Sequence, residues 1–154
     1  VVLLHQGFLG EQFGRCVRRQ GLLRDLNSRF AARRAKTGAE VFALDTKFPV
    51  FASIAISNGM LYSGALDGKL TAVDLNTQKA AWVFQNDTSK QNLAAVQNAD
   101  GTLNFGAIMS QNFCDDMVIA VSKLLSIGSI LSWPVVVKDV TYVGSADGNL
   151  YALD

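Results

Sequence analysis

One histidine, His5, and two cysteines, Cys16 and Cys114, are all that this 154-residue chain offers of the residue types most used for metal binding and nucleophilic catalysis. A single histidine leaves almost no material for a His-based triad or a His-containing metal site. The cysteines lie far apart, match no metal-ligand spacing and build no local disulfide framework. Each reads as a small apolar core residue. Long apolar runs are also missing. The opening "VVLLHQGFLG" is apolar for four residues before His5 and the glycines intervene, too short for a membrane span or a convincing signal-peptide core. Calcium loops of the D-x-[DN]-x-[DN]-G type are absent, so Asp67-Gly68 and Asp147-Gly148 read as turns. Asp115-Asp116 is the one adjacent acidic pair, and neighbours on a helix point about 100° apart, which makes a solvated acidic face the better reading than a catalytic dyad.

What is present suits a folded protein. Hydrophobic residues make up 49% of the chain, enough for an ordinary core. The net charge of +1 conceals a partition: all seven arginines lie at or before Arg34, and all seven lysines at or after Lys36. Residues 1–34 carry two acids, Glu11 and Asp25, and so a net +5, whereas the remainder is net −4. The Arg-rich text of residues 1–35 shows no repeat phase and is read as an atypical basic segment with the capacity for a basic helix, or as an out-of-frame version of an upstream repeat. Its aromatics are sparse (Phe8, Phe13, Phe30) and no nucleic-acid motif appears, so no nucleic acid is expected as partner.

The remaining text repeats itself. At an offset of 80, Tyr62, Gly64, Asp67, Gly68, Leu70, Ala72 and Asp74 fall on Tyr142, Gly144, Asp147, Gly148, Leu150, Ala152 and Asp154. At an offset of 40, "KTGAEVFAL" falls on "NTQKAAWVF", with Thr37 over Thr77 and Phe42 over Trp82. A period near forty suits a four-stranded propeller blade. Strands are expected in "ASIAIS", "MLYSGAL", "KLTAVDL" and "KAAWVF", separated by Asn58-Gly59, by a two-residue type I′ turn at Asp67-Gly68, and by Asn76-Thr77. Gly64 and Gly144 interrupt strands and mark close backbone approach.

"LYSGALDGKLTAVDLNTQKAAWVF" and "TYVGSADGNLYALD" resemble the repeat of PQQ-type β-propellers, over Lys36 to Phe84 and again from about Gly128 to Asp154. The resemblance implies an all-β fold, a partial β-propeller of four-stranded antiparallel blades, with Gly64, Asp67, Gly68, Asp74, Thr77, Trp82, Gly144, Asp147, Gly148 and Asp154 as structural repeat positions. It implies that Trp82 docks against the neighbouring blade, that Phe42 keeps the apolar mass without the indole N–H, and that Gln78, standing where Gly is usual, loosens its turn. Trp133, ahead of Pro134, reads as packing.

The expected organisation is an atypical segment (1–35), the end of one blade plus a full blade (36–84), an insertion with a short helix (85–128) and the start of the next blade (129–154). In the insertion, Phe113, Met117, Val121, Leu124 and Leu125 share one helical face. A propeller needs typically 4 to 8 blades to close, so the chain reads as a fragment that exposes blade faces and strand edges and is prone to self-association.

Two branches of the family bear on function. Quinoprotein dehydrogenases hold pyrroloquinoline quinone (PQQ) and calcium in a pocket with a vicinal disulfide, a stacking Trp and a catalytic Asp. No two cysteines are adjacent here and neither Trp82 nor Trp133 is assigned to stacking, so no catalytic, cofactor-binding or metal residue is expected. The other branch resembles a periplasmic lipoprotein that assists outer-membrane β-barrel assembly. It implies a periplasmic or exported scaffold that binds protein partners without a prosthetic group, PQQ and calcium entering only under the dehydrogenase alternative.

Overall fold

The computed structural model describes residues 15–17, 20–25, 29–34, 37–109 and 116–154. The chain divides into two compact units, residues 1–50 and 51–154.

The first unit holds four antiparallel strands in sequential order, β1 (Arg15–Val17), β2 (Gln20–Asp25), β3 (Arg29–Arg34) and β4 (Glu40–Asp45). The second opens with a matching sheet of β5 (Ala55–Ser57), β6 (Met60–Gly64), β7 (Lys69–Asp74) and β8 (Lys79–Gln85). A third sheet contains β9 (Val135–Val137), β10 (Val140–Gly144) and β11 (Leu150–Leu153) in the order β11-β10-β9.

The basic-helix reading of the N-terminal segment is overturned, because its described residues are strands. They are also in phase with the repeat. Arg15 pairs with Leu22 as Ala55 pairs with Tyr62, forty positions on. The β3–β4 register slips at Ala32/Arg33 and the β7–β8 register at Ala72/Val73, the same step in the repeat. Arginine removes the period-2 apolar signal from the text but supplies the same backbone donors and acceptors to a ladder, and a bulge at a fixed step is a property of the backbone pairing.

The hairpin turns differ in kind. Asn58 and Gly59 are both left-handed, at φ 49° and 79°, as a two-residue type I′ turn requires. At Asp67-Gly68 only Gly68 is left-handed, at φ 71°. The Ala65 N–H donates to Lys69 O (3.0 Å) and the Gly68 N–H to Ala65 O (3.3 Å), so the connection is a longer turn closed by one left-handed glycine, not the expected type I′ pair. Gln78 also corrects its expectation. It stands at φ 60°, where Gly38, forty positions earlier, stands at 69°, so the turn keeps its geometry and glutamine bears the strain.

Between β8 and β9 the insertion folds as α1 (Asp87–Asn92), a 3-10 turn (Leu93–Val96), α2 (Phe105–Ile108) and α3 (Asp116–Ser126). Leu93, Val96, Leu103, Ile108, Ala120 and Ile127 are its buried apolar residues. The shared apolar face of α3 is turned largely outward. Met117 is 69% exposed and Val118, Val121 and Leu125 are exposed with it, while Ala120 faces in and Leu124 is half-buried. Small Ala120 lets α3 approach its support, and Lys123 ties it down by donating from Nζ to Ala107 O (2.6 Å). Phe113 lies outside the described residues.

Within the second unit the two sheets share a core. Ala55, Tyr62 and Ala72 form one cluster, with Met60, Trp82 and Val136 against it. Leu70, Ile130 and Val143 form another, flanked by Trp82, Phe84, Tyr151 and Leu153. Trp82 thus touches both clusters and tilts against Tyr62 with ring centroids 5.9 Å apart. Trp133, expected to pack, is 71% exposed, because the chain there buries Pro134 instead.

Candidate functional site

The repeat residues converge at one end of the two sheets of the second unit, where the turn Ala65–Gly68 and the turn Ser145–Gly148 approach the connecting stretch Gly128–Ile130. The Ile130 N–H donates to Ala65 O (3.0 Å), and the Ala146 N–H to Ser129 O (2.9 Å), so the connection is stitched to both turns. Ser129 Oγ lies 2.6 Å from both Leu66 O and Leu124 O, so its one hydroxyl proton can be donated to either carbonyl.

Asn86 lies at the centre of this junction and is buried. Its backbone N–H donates to Gly68 O (3.2 Å), its Nδ2 donates to Gly128 O (2.6 Å) and Ser145 Oγ (3.0 Å), and its Oδ1 accepts from the Ser89 N–H (2.7 Å). Its side chain therefore caps α1 and joins the connection to the second turn, while its backbone N–H ties in the first turn. Ser89, also buried, donates from Oγ to Asp67 O and accepts from Gln85 Nε2 (2.8 Å). The described residues leave no buried side-chain polar atom without a partner. A fully satisfied polar network of this kind fixes one arrangement, since any shift would strand a buried donor or acceptor.

Glycine makes the close approaches feasible. A Cβ on Gly64 would fall 2.2 Å from Ile130 Cγ2, and one on Gly68 would fall 2.6 Å from Ser89 Cβ. Gly144, by contrast, has only Ser132 at 3.5 Å, and Gly148 has nothing within 4 Å.

The carboxylates at repeat positions are each engaged locally. Asp67 is buried and pairs with Lys69 Nζ (2.9 Å) while accepting from the Lys69 N–H (3.2 Å). Asp147 accepts from the Tyr151 hydroxyl (2.7 Å) and the Asn149 N–H (3.0 Å). Burial opposes its ionisation, but these hydrogen bonds outweigh it and hold the carboxyl below its ordinary value, while the same contact raises the Tyr151 phenol. Asp74 is lowered chiefly by the Asn76 N–H (2.7 Å), with Thr77 as a weaker donor. Asp154, its counterpart at the end of β11, is exposed.

Asp67, Asp74 and Asp147 are each engaged by backbone N–H groups of their own turns. Among the described residues no group of three or more His, Cys, Asp or Glu side chains could hold a metal ion. His5, Cys114 and Asp115 lie outside the described residues, as do the side chains of Cys16 and Asp116. Sequence reasoning found the glycines and aspartates of the junction but missed Asn86, Ser89, Ser129 and Ser145. The one available signal was the helix-capping pattern of Asn86 ahead of Asp87, with Ser89 three positions on.

Sequential four-stranded antiparallel sheets in a forty-residue phase define the class: this is a partial β-propeller. The model of the PQQ-repeat family described as outer membrane protein assembly factor BamB matches residues 18–122, and the chain belongs to that family. The match begins within the Arg-rich segment, in keeping with the strand register there. No curated protein matches the sequence. Among solved structures, BamB from Moraxella catarrhalis is similar over 92% of this chain and 36% of its own, with 18% identity and a TM-score of 0.59. The computationally designed Ika8 protein is similar over 96% of this chain and 34% of its own (14% identity, TM-score 0.58), and the designed Ika4 over 97% and 69% (15%, 0.56). The chain thus spans about a third of the length of the first two. No helix among the described residues is long and apolar enough to cross a membrane.

Proposed function

We propose that the chain is a non-enzymatic segment of a PQQ-repeat propeller that acts as a protein-binding scaffold in the assembly of envelope or outer-membrane proteins, in the periplasm or outside the cell. The observation that carries this reading is the pairing of a locked junction with an apolar display. The Asn86 network holds the insertion to both turns, and the insertion turns Phe105, Met109, Met117, Val118, Val121 and Leu125 outward. An exposed apolar patch on a rigid support is a protein-interaction surface in most soluble proteins, and methionine lets such a surface adapt to its partner. Family membership supports the assembly role, which the family description names for its members.

The alternative is that the chain is a portion of a PQQ- and calcium-dependent quinoprotein dehydrogenase. Titration with PQQ and calcium, followed by absorbance and dye-linked alcohol oxidation, separates the two. The scaffold reading expects no saturable change, together with site-specific photo-crosslinking from position 121 to a protein partner. Saturable PQQ binding with turnover would overturn it.

A further inference from the structure

Strands β5 and β6 are joined by two residues, Asn58 and Gly59, both left-handed and both exposed. Asn58 is the one asparagine of the chain that is followed by glycine. That order matters chemically. The backbone nitrogen after an asparagine can attack the side-chain carbonyl, and a residue without Cβ hinders that approach least. Asparagine side chains elsewhere in the second unit are engaged: Asn86 Nδ2 donates to Gly128 O, and Asn104 Oδ1 accepts from the Ala107 N–H (3.0 Å).

The closed turn holds the reacting atoms apart. A left-handed residue has ψ near about +47°, which places the next nitrogen almost opposite Cβ across the Cα–C bond, whereas a five-membered imide needs the two nearly eclipsed. Asn58 must leave the left-handed region before attack can occur. The tip is fastened by the Leu75 N–H, which donates to Gly59 O (2.9 Å), and by the Asn76 side chain, whose Nδ2 lies 3.6 Å from where a Cβ on Gly59 would stand. The turn itself does not require asparagine. Eighty positions on, Val137 pairs with Val140 as Ser57 pairs with Met60, and Lys138 takes the same place at φ 56°.

We infer that Asn58 is a self-modification site gated by opening of the β5–β6 turn. Gly59 N bonds to Asn58 Cγ, the Cγ–Nδ2 bond breaks, and ammonia leaves with the proton given up by the Gly59 amide. Water then opens the imide at one of its two carbonyls. Attack at Cγ leaves an aspartate at position 58, which a type I′ turn accepts. Attack at the main-chain carbonyl leaves an isoaspartate, whose backbone runs through Cβ and Cγ and is one carbon longer. Loop length sets hairpin register, so the longer backbone breaks the pairing of Ser57 with Met60 and keeps the tip open. Either product adds a negative charge near Asp74, which pairs with Met60. The turn thus records irreversibly that it has opened. Nothing in this chemistry depends on the scaffold role.

The test incubates the full chain at mildly alkaline pH in water enriched in heavy oxygen, with the capped peptide IAISNGMLYS, residues 54–63, as the ungated reference. Fragmentation mass spectrometry locates the product and separates isoaspartate from aspartate. Expected are both products at position 58, heavy oxygen in the new carboxyl, and slower reaction at every other asparagine. The rate should fall about tenfold below that of the peptide, as for a turn open about a tenth of the time. Asn58→Lys, which copies the turn at Lys138, should lose the product and keep the wild-type melting profile. A folded chain still unmodified when the peptide has fully reacted would overturn the site, as would faster reaction at another asparagine. Equal rates in folded chain and peptide would overturn the gate.

Discussion

The turns Ala65–Lys69 and Ser145–Asn149 share Asp-Gly at the same two places and close with the same backbone hydrogen bonds, yet they do different work. In both, the first residue's N–H bonds to the fifth residue's carbonyl, and a left-handed glycine closes the loop. The first turn is buried beneath Asn86 and Ser89, with Asp67 paired to Lys69. The second is more open, Asp147 answering to Tyr151, with space around Gly148. A repeat motif therefore sets the path of the chain, while whatever lies above it sets what each side chain contributes.

Substitutions at paired positions sharpen this comparison, and the largest difference is expected at the strand glycines. Gly64→Ala must displace Ile130, backbone included, and should cost about 3 kcal/mol, near the upper end for overpacking. Gly144→Ala meets Ser132 at ordinary contact distance and should cost less than about 1 kcal/mol. Urea midpoints at unchanged m-value measure both, and equal losses would refute the asymmetry.

Asn86→Ala comes next. It removes the α1 cap and the links to Gly128 and Ser145 together, and should cost about 2–3 kcal/mol, against about 1 kcal/mol for Asn104→Ala, which removes only the cap bond to the Ala107 N–H. If the two variants melt alike, Asn86 is merely a cap. Gln78→Gly should act in the opposite direction. Relieving a left-handed glutamine should stabilise by about 1 kcal/mol, whereas Gly38→Gln should destabilise by a similar amount, which thermal melts would resolve.

The smallest effect concerns pH. Asp147 is lowered in the folded chain, so its contribution is present above its unfolded value and lost as pH falls through the folded one. Tyr151 is raised, so its contribution is complete below pH 10.0 and fades as pH rises through the folded value. Tyr151→Phe should therefore flatten both limbs of the stability profile by a few tenths of a kcal/mol, about the worth of an exposed contact. An unchanged acid limb would remove Tyr151 as the cause of the Asp147 shift.

Legibility followed the type of signal. Strands β5 to β8 and β9 to β11 were plain in the text because turn pairs and β-branched or aromatic runs recur at fixed offsets. The N-terminal strands were hidden because arginines interrupt apolar alternation without affecting backbone pairing. The direction of the apolar face of α3 was not legible, because helical periodicity says which side chains share a face, not which face finds a support. Trp133, read as packing, is exposed, and Pro134 beside it takes the buried place.

By itself, the sequence determined the forty-residue phase, the glycine-dependent turns and the membership in a propeller family, since these depend on local backbone preference repeated along one chain. Only the tertiary structure decided that Asn86 joins two turns and a helix and that one Asp-Gly turn is covered and its twin more open. Those properties depend on which distant segments meet. Contacts such as Asn86 to Ser145, 59 positions apart, leave no periodic trace in the text.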